Sequence, residues 1–344
     1  MKIHSRLLSI LSGPALRVGI SLGILFYIFH SSGIAPASLA DTLRRSKPGW
    51  LLVGFLGYAF AVILTLWRWH LMLHRQGVNL RWRRTLHIGM IGVFFNSFML
   101  GSTGGDLIKA FYVSRETSDR KTAAITTVAA DRIFGLLGMF LLAGAVAITH
   151  LRSLSDSPPI ANLILLLIAA FIVCLLGLWL LAQHRFWFYI FSLKPFQIVQ
   201  RWIPTGIQEI AVKVYQAFHL YYQYPFLLSF LLLLSAGVHA ALVLNAFALA
   251  RSLGIAAIDL HDFFLIIPIV TFAASVPLSI SGLGIRDQMV VFLLASYGVP
   301  EVKGLALSLL IFAAVVAMSL IGGITYIFRP GPSPMSEPNS SVSP

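Results

Sequence analysis

Apolar positions in this chain do not alternate with polar ones. They run in long blocks separated by short basic segments. Leu51–Leu71, Ile160–Ala182, Phe226–Ala250 and Ala306–Phe328 each reach the roughly 20 residues that an α-helix needs to cross a hydrocarbon core. Ala15–Ile34 and Thr122–Thr149 add two more runs of this kind. The first is read as a retained span, because another span follows it. Ser38-Leu39-Ala40 offers the rival of a signal-peptide cleavage site. The pattern predicts an all-α integral membrane protein with about six full spans.

Two apolar stretches are too short to cross. Leu86–Leu100 rises only about 22 Å as a helix. It ends in Gly101-Ser102-Thr103-Gly104-Gly105-Asp106, and a second short helix, Leu107–Ser114, leads to Arg115, Arg120 and Lys121. Phe263–Ile280, broken by Pro268 and Pro277, ends in Ser281-Gly282-Leu283-Gly284-Ile285-Arg286-Asp287, with the short helix Gln288–Tyr297 after it. Both read as glycine-tipped re-entrant hairpins, which need protein or water around their irregular backbone. Each sits between long spans, which gives repeats over 50–149 and 226–328. Charge-based counting has the hairpins enter from opposite faces, so the repeats are expected to be inverted, with the site near the midplane. Eight full spans is the alternative topology. An amphipathic linker is expected over 186–224 and a disordered tail over 330–344, leaving 1–329 as one polytopic domain.

Composition supports the membrane reading. The chain is 58% hydrophobic and 11% charged, where soluble domains carry about 25% charge. Its formal net charge of +13 falls in short loops, as the positive-inside bias arranges, so membrane headgroups rather than nucleic acid are the expected partners. His74, Arg75, Arg81, Arg83 and Arg84 form the most basic short segment; placing it in the cytoplasm makes both termini cytoplasmic. Cys174 is the single cysteine, which excludes a disulfide within the chain.

Charges inside apolar segments cost about 2.5–3.5 kcal/mol each on insertion scales and mark candidate function. Asp106, Lys109, Asp131, Arg132, Arg286 and Asp287 are the residues of this kind, three acids and three bases suited to pairing in a shared cavity. Asp131 and Arg132 follow Lys121 by ten and eleven residues, which carries them about 15 Å inward along a helix. Either a structural salt bridge or a substrate contact fits them. Asp106 is placed either to cap the helix that follows or to meet a ligand; Lys109 is placed to reach a phosphate or to pair with Asp106. Gly104, Gly105, Gly282 and Gly284 precede short helices, whose N-termini favour anions. Arg286 adds a guanidinium whose donors match phosphate. Asn96, His239 and Asn245 suit interhelical hydrogen bonds or substrate contacts. His70 and His74 have metal-ligand spacing without a third ligand nearby, so no metal is expected, and their position at a helix end beside Arg68 suggests the interface. Gly101–Asp106 lacks the Gly-Lys-Ser/Thr ending of a phosphate-binding P-loop, and no cofactor is expected.

Phe94-Phe95-Asn96-Ser97-Phe98-Met99-Leu100-Gly101-Ser102-Thr103-Gly104-Gly105-Asp106 resembles the first motif of the lysylphosphatidylglycerol synthase transmembrane family. Ala130-Asp131-Arg132-Ile133-Phe134-Gly135-Leu136 resembles its Asp-Arg motif, Ser281–Asp287 its third, and Trp67-Arg68-Trp69 a weaker fourth. Leu100, Lys109 and Asp287 depart from the family's usual Pro, Arg and Glu. The resemblance implies a flippase-like module without the soluble aminoacyltransferase domain, in a bacterial or archaeal plasma membrane. Its substrate would be a phospholipid or a polyprenyl-phosphate-linked lipid, held by Asn96, Gly104, Gly105, Asp106, Lys109, Asp131, Arg132, Gly282, Gly284, Arg286 and Asp287. Two other functions remain open at this point. One is a membrane enzyme acting on a lipid phosphate with Asp131 or Asp106 as base; the other is a regulatory partner of an envelope lipid-modifying enzyme.

Overall fold

The computed structural model describes residues 36–98, 104–117, 120–151, 158–182, 221, 223–275 and 284–328. The expected first span, the centres of both glycine-rich breaks with Gly282, nearly all of the amphipathic linker and the tail lie outside these residues. Every regular element among the described residues is an α-helix. In chain order they are α1 (Pro36–Arg44), α2 (Pro48–Arg75), α3 (Trp82–Phe98), α4 (Gly104–Arg115), α5 (Lys121–Thr149), α6 (Pro158–Ala182), α7 (Pro225–Ser252), α8 (Leu260–Ser275), α9 (Ile285–Ala295) and α10 (Glu301–Ile327).

Five of these, α2, α5, α6, α7 and α10, are long and apolar enough to cross a membrane. Their outer faces confirm the solvent. Leu52, Leu56, Phe60 and Ile63 form an exposed apolar stripe on α2, and Val173, Leu176 and Trp179 another on α6. Continuous apolar surface of this kind is stable against lipid and a liability in water. Proline opens α2 and α7 at the first turn, where its missing N–H costs no helix hydrogen bond. The chain is an all-α integral membrane protein.

The two short pairs fold back as hairpins. Arg84 of α3 makes an ion pair with Glu116, just after α4, so α4 ends beside the start of α3. Tyr297, just after α9, donates to Asp262 of α8 at 3.5 Å, so the second hairpin also returns to its starting end. The two ends are opposite. Arg75 stacks on Tyr224 and Arg120 donates to the Gln76 carbonyl at 3.0 Å at the end where the first hairpin opens. At the other end the Lys47 N–H donates to the Ser252 carbonyl at 2.9 Å, and His150 lies 3.4 Å from Asp262.

Packing follows the same exchange. α2 packs against α7, α3 against α10, and α8 against α5. Swapping the quartet α2–α5 with α7–α10 maps α3–α10 onto α8–α5 and α2–α7 onto itself. α6 lies outside the quartets against α5, where Gly144 lets the Phe171 ring approach.

Candidate functional site

The first hairpin is closed by backbone contact. A Cβ on Gly105 would stand 1.9 Å from the Gly92 carbonyl oxygen and 2.7 Å from Asn96. Only glycine lets α3 and α4 approach this closely. Asn96 Oδ1 accepts the Gly105 N–H at 2.9 Å, satisfying one of the donors that every helix start leaves open. The helix begins at Gly104, so Asp106 lies within its first turn. Asp106 pairs instead with Arg132 of α5. Capping thus falls to Asn96, and the ion pair to Asp106.

Behind that pair lies a drier one. Arg68 of α2 donates from Nε to Asp131 Oδ1 at 2.8 Å, from Nη2 to the Asp131 carbonyl at 3.0 Å and from Nη1 to Ser235 at 2.7 Å. Arg68 is 3% exposed and Asp131 5%. Lys109 of α4 reaches the other Asp131 oxygen at 3.5 Å and sits 4.0 Å from the Trp69 ring centroid. The ring is held by its indole N–H donating to Thr127 at 3.0 Å.

The second hairpin is built differently. Gly284 has φ +87°, a conformation open to glycine and strained for other residues. Its N–H donates to Asp287 Oδ2 at 2.7 Å. Asp287 Oδ1 accepts from Arg286 at 2.8 Å and from Ser308 of α10 at 2.5 Å. Arg286 also donates to Ser308 at 3.1 Å. Asp287 is fully buried, so it holds Arg286 from behind.

All of this surrounds one cavity of about 610 Å³, walled by parts of α2–α5 and α7–α10 midway along the long helices. Asn96, Asp106, Lys109, Asp131, Arg132 and Arg286 line it. Gly104, Gly105, Gly284 and Asp287 stand outside its wall and position the residues that form it. The sequence reading missed Arg68, Tyr58 and Thr65, which also line it. Arg68 is legible as a cation inside an apolar run and as part of Trp67-Arg68-Trp69, but it stands outside the expected site residues. Asn245 donates to the Gly54 carbonyl at 2.8 Å and His239 meets the Gly135 carbonyl at 3.0 Å, so both tie helices together while facing the cavity. His70 meets Thr85 at 2.9 Å and His74 the Leu80 carbonyl at 3.1 Å. Among the described residues no group of three metal-ligating side chains occurs.

The family model described as lysylphosphatidylglycerol synthase TM region matches residues 15–323. No curated protein matches the chain. The chain belongs to the lysylphosphatidylglycerol synthase transmembrane family.

Proposed function

We propose that this member of a lipid-linked membrane family translocates a lipid, either a phospholipid or a polyprenyl-phosphate-linked lipid, by passing its headgroup through the central cavity. One observation carries the reading. Charged residues from three distant segments, Asp106 and Lys109, Asp131 and Arg132, and Arg286, line the same cavity between two hairpins that open at opposite ends. A headgroup crossing bare hydrocarbon loses its hydration with nothing in return. Here guanidinium and ammonium donors replace the lost water, and the acyl chains stay in lipid beside the helices. Lys109, Arg132 and Arg286 are the phosphate-facing cations in this reading.

The end bearing Arg75, Arg81, Arg83, Arg84, Arg115, Arg120 and Lys121 carries one described acid, Glu116. The opposite end sets Asp41, Asp259, Asp262 and Glu301 against its own cations. The positive-inside bias then puts the first end in the cytoplasm. The test is headgroup flipping in proteoliposomes with phosphate-bearing lipids, comparing the protein with Arg132→Ala and Arg286→Ala. Flipping that falls in both variants supports the site. Normal rates in both, in folded and inserted protein, reject it.

A further inference from the structure

The charges around the cavity do not cancel. Arg68 has Asp131, Arg132 has Asp106, and Arg286 has Asp287. Each arginine thus pairs closely with one of the three aspartates. Lys109 has none to itself. Asp131 is the only carboxylate within 4.0 Å of its ammonium among the described residues, at 3.5 Å, and that carboxylate is already engaged by Arg68 at 2.8 Å. The tips of the two hairpins, residues 99–103 and 276–283, contain no charged residue in their sequence. Among the described residues one positive charge is therefore left over, and it is localised on Lys109, which is 5% exposed.

An ion removed from water without a full partner loses hydration that its surroundings do not replace. The Trp69 face offsets a part of that, since the ring's negative face attracts the ammonium. The remainder is relieved by an anion of one unit charge entering the cavity that Lys109 lines. Resting on the translocase reading, we infer that Lys109 selects a headgroup of net charge −1, a single phosphodiester with neutral substituents. A lysylated headgroup, with two ammonium groups on one phosphate, brings a second excess cation to the first and is disfavoured. A neutral zwitterion leaves the excess uncancelled.

The experiment titrates detergent-purified full chain with dispersed lipids and reads thermal stabilisation. The probes are phosphatidylglycerol, phosphatidylethanolamine, lysylphosphatidylglycerol and soluble glycerophosphoglycerol. Phosphatidylglycerol is expected to bind about tenfold more tightly than the zwitterionic and lysylated lipids. Lys109→Gln should erase that preference, and Lys109→Arg should keep it. Equal binding of the lysylated lipid, or a preference that survives in Lys109→Gln, overturns the inference. Glycerophosphoglycerol binding as well as phosphatidylglycerol overturns the assignment to a lipid. The same lipids are then assayed for flipping. A charge preference in binding with no flipping of any lipid sinks translocation and leaves the anion site standing.

Discussion

The two hairpins share a plan and differ in where their charges are answered. In α8–α9 the arginine and its aspartate are neighbours in sequence, and Ser308 closes the ring. In α3–α4 the charges are answered across helices, by Asp131 and Arg132 of α5. The second hairpin is electrostatically self-contained. The first depends on a neighbour, and one of its cations has only a shared partner. A locked hairpin holds its cavity-lining arginine in one place, and an under-compensated one is where a ligand changes the energy most.

Four substitutions probe that contrast. Asp287→Ala should have the largest effect, because it strands a buried guanidinium and the Gly284 N–H. A loss of about 3–5 kcal/mol is expected, read as a lowered melting temperature in detergent. An unchanged melting temperature would contradict the locked second hairpin. Gly105→Ala forces a Cβ against the Gly92 carbonyl and should cost about 1–3 kcal/mol. Cysteine cross-linking between α3 and α4 would report the separation, and wild-type cross-linking would show that the contact is not needed. Asn96→Ala removes the remote cap and should cost about 1 kcal/mol, visible as faster amide exchange at the start of α4. Lys109→Met should run in the opposite direction. Removing a cation with only a shared carboxylate is expected to be neutral or stabilising, by up to about 1 kcal/mol. A marked fall in stability would show Lys109 to be as firmly compensated as Arg286.

Much of this was legible from the chain because its signals are local. Spans follow from unbroken apolar runs, and both hairpins follow from runs too short to cross that end in glycine. Partnership is not local. Nothing in the sequence around Ser235 or Ser308 marks it as the hydroxyl that meets Arg68 or Arg286. Asp287 and Asp106 look alike in sequence, since each follows two glycines, Gly282 and Gly284 or Gly104 and Gly105. One turns inward to the Gly284 N–H, and the other faces α5. That difference rests on packing between helices far apart in sequence. Arg68 escapes the expected site for the same reason: its partners, Asp131 and Ser235, lie on helices far away in sequence.

The seat of α3 has a consequence for the order in which the protein can be made. On one side this helix meets Gly105 of α4. On the other, Gly322 and Gly323 of α10 let its Met90 carbonyl and Phe94 ring approach, and Ser97 hydrogen-bonds Ser319, 222 residues later. During synthesis α2, α4 and α5 are in place early, so Arg68, Lys109 and Asp131 can find one another while translation continues. Among the described residues, the far side of α3 is met by α10, which emerges last. The part of the polar wall on α2, α4 and α5 is thus available first and the apolar seat last, and a chain stopped short of α10 would leave the Met90 and Phe94 face of α3 open to whatever membrane factor attends it.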